Sequence, residues 1–283
     1  MVFSNNKNIR GFGALRAYFC RAFVMALVNL VAFSAQALVG GITVDGIFPA
    51  SIRYQLSRDR LCSGVVLDHQ HILTAAHCLG EFNGTFWSGF SLFFAPGSMA
   101  RVSRWSENAE LMRVKNFYIH PSVQNKRALI NFSSEQNFES TFDLAIIEFE
   151  KALPYNVFAT WAPQYPQMRQ IIRYGGYGET SLNRSNFSAH LNMAAAAIFD
   201  QSDTHFFAEG SSGTSMLGHG DSGGPVYNAQ GQVIGINSII KPLRTSSVPT
   251  IGDHYITRID SYSMGFTKVR SALGWISQVL AHR

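Results

Sequence analysis

The chain runs to 283 residues, of which 46% are hydrophobic and 14% charged. That balance excludes a disordered chain and a multi-span membrane protein, and the length suits one large domain or two fused halves. Most of the net charge of +5 sits in the first 37 residues, where Lys7, Arg10, Arg16 and Arg21 meet no Asp or Glu; beyond them 19 basic residues face 18 acidic ones, with no basic run of the kind that binds nucleic acid.

The first predicted element, 1–37, reads as a signal peptide. A basic stretch ends at Arg21, an apolar stretch covers Ala22 to Ala35, and Ala35-Gln36-Ala37 supplies the small-x-small pattern of a signal-peptidase site. An uncleaved anchor and a buried helix are the alternatives. Fourteen apolar-stretch residues interrupted by Asn29 fall short of the roughly 20 needed to span a bilayer. The expected destination is therefore secreted or periplasmic. Of the three cysteines, Cys20 lies in the leader. Cys62 and Cys78 remain as an even pair in an oxidising compartment, where a Cys62–Cys78 disulfide is expected and two buried free thiols are the alternative.

From residue 38 onward, short apolar or alternating runs are separated by Gly, Asn, Ser and Pro clusters, which predicts an all-β protein. Strands are expected at Gly64–Leu67, His71–Thr74, Leu111–Ile119, Leu144–Phe149, Gln170–Tyr174, Pro225–Tyr227 and Gln232–Asn237. Surface loops are expected at 80–90, 121–141 and 241–263. One helix closes the chain, because Val269, Leu273, Ile276 and Leu280 recur at three-to-four-residue spacing.

Three stretches carry chemistry: Leu73-Thr-Ala-Ala-His77-Cys78, Phe142-Asp143-Leu-Ala-Ile-Ile147 and Gly220-Asp221-Ser222-Gly223-Gly224-Pro225. Each alone has a plain structural reading: a core histidine beside a disulfide, a strand end, a tight turn. Together and in this order they resemble the histidine, aspartate and serine motifs of the trypsin/chymotrypsin-like serine proteases. The resemblance runs from Leu38 to the C-terminus. Gly176-Tyr177-Gly178 resembles the family's Gly-Trp-Gly turn, and Phe266-Thr-Lys-Val269 with the terminal helix resembles its last strand and helix. Cys62 and Cys78 match its disulfide beside the catalytic histidine.

The resemblance implies two six-stranded antiparallel β-barrels, roughly 38–155 and 156–268, with the active site between them and a C-terminal α-helix. It implies a triad of His77, Asp143 and Ser222, with the amides of Gly220 and Ser222 as the oxyanion hole. The chemistry suits these residue types. A serine hydroxyl needs an adjacent base, and the base needs an orienting group; an unperturbed imidazole titrates near pH 6.5. His69, His71 and His120 compete for the base but have no serine motif of their own.

Leu38-Val39-Gly40-Gly41 resembles the family's mature N-terminus, whose new α-amine pairs with the Asp before the serine, here Asp221. Ala37 directly precedes Leu38, so signal cleavage is expected to release that amine with no separate propeptide. Met216 stands six residues before Ser222, at the base of the family's primary pocket. A methionine there offers no charge partner to a basic residue. Ser238 resembles the residue whose backbone pairs with substrate, and Ile240 is expected to narrow the pocket mouth. Small or medium apolar P1 residues are expected. Gly218 stands where the family has a cysteine bracing that pocket, so the brace is missing.

The expected protein is a monomeric endopeptidase acting on protein or peptide substrates, with no cofactor, no metal and no lasting membrane association. A protease-like binding protein that no longer cuts, holding a partner by 241–263, is the alternative. An esterase fits less well, because the order Ser…Asp…His of that fold is not seen. Asn83, Asn131, Asn183 and Asn186 head glycosylation sequons that matter only in a glycosylating host.

Overall fold

The computed structural model describes residues 38, 41–58, 60–82, 90–105, 108–124, 139–179, 187–211, 215–249 and 255–281. The expected leader, Cys20 and the four sequon asparagines lie outside these residues.

The first strand, β1 (Ile42–Thr43), is only two residues long. It is followed by β2 (Ser51–Ser57), β3 (Arg60–Val66) and β4 (His71–Thr74). A small ribbon comes next, β5 (Gly80–Phe82) with β6 (Phe90–Leu92), and then β7 (Met99–Ser103), β8 (Glu110–Ile119) and β9 (Ala145–Phe149). Strands β2, β3, β4, β9, β8 and β7 close into an antiparallel barrel in that order. Every residue of β4 and of β9 is buried. Such strands read as short continuous apolar runs, which is why Leu144–Phe149 was legible. A register shift between Val114 and Asn116 bends β8 against β9, as a bulge does where a sheet must curve closed.

The second half is built on β10 (Ile171–Gly176), β11 (Asn192–Gln201), β12 (His205–Ser211), β13 (Pro225–Tyr227), β14 (Val233–Pro249) and β15 (Tyr255–Lys268). The sheet order is β1-β11-β10-β13-β14-β15-β12, and a further β11–β12 pairing brings its last strand back to its second, leaving β1 outside that ring. Ile42 and Thr43 pair with Met193 and Asn192, so the first described strand lies on the second sheet and the chain crosses to the barrel at β2.

The loop expected over 241–263 is corrected. The described residues on both sides form a long antiparallel hairpin, paired from Gly235–Lys268 out to Pro249–Tyr255. Pro242 and Pro249 suggested a loop, but proline is tolerated in strands at edges and bulges. Register shifts do fall on both sides of Arg244. Within the expected loop 121–141, Pro121–Gln124 forms one turn of helix, α1, and the expected loop 80–90 carries β5 and the start of β6.

A helix, α2 (Leu273–Ala281), closes the fold. Val269 and Ile276 are buried as the spacing predicts, but Val279 joins them as a buried residue while Leu280 is half-buried. Among the described residues no helix is long and apolar enough to cross a membrane.

Candidate active site

Strand β4 delivers His77. Its last residue, Thr74, leads through extended Ala75 into one 3-10 turn, Ala76–Cys78. Cys78 is disulfide-bonded to Cys62 of β3, so the turn is tied to the neighbouring strand at the residue after the histidine. Asp143 lies two residues before β9 and is fully buried. Because β4 pairs with β9, Thr74 opposite Ala145, the histidine turn and the aspartate leave the barrel side by side.

The contact between them is double. Asp143 Oδ1 accepts the His77 backbone N–H at 3.0 Å, and Oδ2 faces His77 Nδ1 at 2.6 Å. An ionised carboxylate only accepts. Nδ1 therefore carries the proton, and Nε2 is the basic nitrogen. Burial lowers the His77 pKa, but the Asp143 charge and hydrogen bond outweigh it and the net shift is upward. For Asp143, burial raises the pKa, while the His77 charge, its hydrogen bond and the Ser238 hydroxyl outweigh it and hold the carboxyl below its usual range.

Ser238 Oγ donates to Asp143 Oδ2 at 2.6 Å. The residue expected to meet substrate through its backbone thus has its side chain on the aspartate. Behind it lies His205, fully buried, which sequence reasoning did not single out. Thr204 gives its hydroxyl proton to the Glu139 carbonyl at 2.9 Å, so it accepts from His205 Nδ1 at 2.9 Å. His205 Nε2 is then an acceptor, 3.0 Å from Thr267 Oγ1 and 3.3 Å from Ser238 Oγ. Burial holds this imidazole down at about 4, so it is neutral at physiological pH.

Ser222 sits in an irregular segment before β13. Its carbonyl accepts the Ser63 amide at 2.9 Å and lies 3.7 Å from Cys78 Sγ; a disulfide sulfur has no proton, so the latter is a contact only. The Ser222 backbone is thus packed beside the residue that follows His77. The turn needs glycine at two points. Gly220 has φ +93°, and Gly223 has φ +79° in a space so small that a Cβ would stand 2.0 Å from Thr74 Oγ1.

Asp221 is fully buried. Its Oδ1 accepts the Gly178 amide and its Oδ2 the Gly218 amide, each at 2.8 Å. Gly218, read as the site of a missing cysteine brace, thus holds Asp221 through its backbone. Burial pushes the Asp221 carboxyl up to about 7 despite these two amides. Leu38 is fully buried in one apolar cluster with Tyr174 and Leu217.

The three specificity candidates fall in different settings. Met216 is buried. Ile240 packs against the second apolar cluster and pairs with Met264, itself fully buried. The competing histidines are elsewhere: His71 on Asp68, at 2.8 and 3.0 Å, His69 against Phe158, and His120 between Phe142 and Trp275, lowered to about 4 by burial.

Two further residues touch the serine segment and were missed: Ser63, which bonds Gly220 O, and Asn237, which bonds Asp221 O. A signal existed. Ser63 is the lone polar residue of the apolar run LCSGVV, and Asn237 with Ser238 interrupts the run VIGINSII; buried polar groups need partners.

The family model described as Trypsin matches residues 39–262. "Trypsin" of Phaedon cochleariae is 27% identical over 221 residues, covering 71% of this chain and 77% of that protein. "Trypsin beta" of Drosophila erecta is 28% identical over 220 residues with the same coverage. Among solved structures, neuropsin, a serine protease expressed in the limbic system of mouse brain, superposes with a TM-score of 0.58 at 20% identity, covering 85% of this chain and 98% of that one. With the paired imidazole and carboxylate in place and the family match spanning most of its length, this chain belongs to the trypsin family of serine proteases.

Proposed function

We propose that the protein is a secreted endopeptidase that cleaves peptide bonds through an acyl-enzyme on Ser222, after small or medium apolar P1 residues. The observation that carries this reading is the buried Asp143 carboxylate fixing His77 as its Nδ1–H tautomer. That arrangement presents a basic Nε2, the form a general base must have.

In the proposed reaction, Ser222 Oγ attacks the scissile carbonyl carbon as its proton passes to His77 Nε2. The imidazolium is stabilised by Asp143, which stays ionised. The negative oxygen of the tetrahedral species takes the amides of Gly220 and Ser222. Among the described residues neither amide donates within the chain. Collapse breaks the C–N bond as His77 returns the proton to the leaving amine. Water then attacks the ester by the same route and releases Ser222.

The second sheet, its last strand β12 paired back to β11, acts in this reading as the second barrel, and the site lies between the halves. Met216, Met264 and Ile240 line the primary pocket, and their apolar side chains carry the P1 preference. Signal cleavage after Ala37 frees the Leu38 amine, which pairs with Asp221. A buried carboxylate needs such a counter-charge, and this one has no ion pair among the described residues. A secreted monomer without metal or cofactor completes the proposal.

The test is covalent labelling by a phosphonofluoridate, followed by peptide mapping. Adduct on Ser222 is expected. A folded protein that stays unlabelled overturns the enzyme reading and favours a binding protein. Cleavage of a peptide library then tests P1: enrichment of Lys or Arg there overturns the pocket assignment.

A further inference from the structure

We propose that Ser63 and Asn237 are positioning residues that together hold the oxyanion amides in their reactive orientation, one reaching in from each half of the molecule. The proposal rests on the role given above to the Gly220 and Ser222 amides. In a trans peptide the C=O and the following N–H point in opposite directions. Whatever fixes a carbonyl therefore aims the next amide.

Three consecutive peptides matter here. The His219 carbonyl accepts the Glu179 amide at 2.8 Å, which turns the Gly220 N–H the other way. The Gly220 carbonyl accepts Ser63 Oγ at 2.8 Å. The Asp221 carbonyl accepts Asn237 Nδ2 at 2.9 Å and the Gly224 amide at 3.0 Å, which turns the Ser222 N–H the other way. Ser63 shares the middle peptide, which links the two oxyanion amides and whose own N–H, that of Asp221, donates to Gly218 O at 3.2 Å; Asn237 shares the third.

Both side chains are fully buried and committed. The Ser63 hydroxyl gives its proton to Gly220 and accepts the Tyr177 amide at 2.9 Å, while the Ser63 amide holds the Ser222 carbonyl at 2.9 Å. Asn237 places its two Nδ2 protons on Gly175 O at 2.8 Å and on Asp221 O. Two carbonyl acceptors on one side fix its amide orientation. Among the described residues its buried Oδ1 accepts nothing, a cost that packing alone does not explain. The segment it holds contains Gly220 at φ +93° and Gly223 at φ +79°, glycines with many alternative conformations to suppress.

The experiment compares Ser63→Ala and Asn237→Leu with the parent protein on a peptide amide substrate. Losing a whole oxyanion donor costs about 10²–10³ in kcat, and misaiming one costs less. We expect kcat to fall roughly 10-fold for Ser63→Ala and roughly 30-fold for Asn237→Leu, with KM within about twofold. A peptide aldehyde, which forms an oxyanion on Ser222, loses affinity by the same factors. The matching peptide alcohol, which forms none, binds as before. Asn237→Ser decides the second site if the leucine variant does not fold. The proposal is overturned if the folded variants keep kcat within twofold, or if aldehyde and alcohol weaken alike. If the parent itself is not labelled at Ser222, the proposed function has failed; if the parent is labelled and the variants are labelled at its rate, only the brace has.

Discussion

The two sides of the site are built on different principles. The imidazole and carboxylate leave adjacent strands of a closed barrel, β4 and β9, and a covalent bond ties the histidine turn to β3. The serine leaves an irregular, glycine-rich segment with no cross-link. It is held by hydrogen bonds from Ser63, Gly178, Gly218 and Asn237. Regular pairing needs few special residues, because the ladder itself sets register. An irregular turn has no ladder, so each carbonyl and carboxylate needs its own donor.

The largest expected break in this comparison is on the serine side. Ser222→Ala should lower kcat by on the order of 10⁶ in a folded protein; a loss below tenfold would mean that another group is the nucleophile. On the barrel side, Asp143→Asn should cost about 10⁴ in kcat near neutral pH, because an amide can no longer enforce the Nδ1–H tautomer. Steady-state kinetics on both variants, with circular dichroism as the check on folding, separates nucleophile from orienter.

The disulfide sharpens the contrast between covalent and polar bracing. Its two cysteines are 16 residues apart, and closing a loop of that size is worth about 3 kcal/mol. The Cys62→Ser, Cys78→Ser double variant should lose about that much in denaturant unfolding yet keep most of its kcat when folded. If kcat collapses while stability holds, the bond is positioning the histidine rather than stapling the barrel.

Titration separates the sides again. As the proposed base, His77 works only when neutral, and its pKa is raised. Activity should therefore fall with falling pH through a midpoint above 6.5, and Asp143→Asn should move that midpoint down. The stabilisation His77 gains from Asp143 is complete below pH 6.5 and is lost as pH rises through its raised value. That of the depressed Asp143 is present above its unfolded pKa and lost as pH falls through the folded one. A second limb is expected in alkali if the Leu38 amine pairs with Asp221, since the amine must stay protonated; kcat/KM flat from about pH 5 to 10 would contradict both assignments.

The smallest effect concerns Asp221 in the chain that still carries residues 1–37. Its carboxyl is raised to about 7, so its contribution to stability is present below the unfolded value near 4 and is lost as pH rises through about 7. The same protein starting at Leu38 should lose less over that interval. Unfolding midpoints at pH 5 and 8 for the two forms, with N-terminal sequencing of each, check this; equal losses would separate Leu38 from Asp221.

By itself the sequence determined the mostly β class, the terminal helix, the cysteine pairing and the meeting of His77 with Asp143. Local patterns and short motifs suffice for those, because they are written in neighbouring residues. It misled on 241–263, where two prolines suggested a loop and pairing with a distant strand made a hairpin instead. Only the tertiary structure decided that β1 joins the second sheet, that the Ser238 hydroxyl rests on Asp143, and that Ser63 and Asn237 converge on one turn. Those facts depend on partners between 95 and 157 residues apart for Ser238 and Ser63. A hydrogen bond is satisfied by proximity in space, and no local pattern records which distant carbonyl a buried side chain will meet.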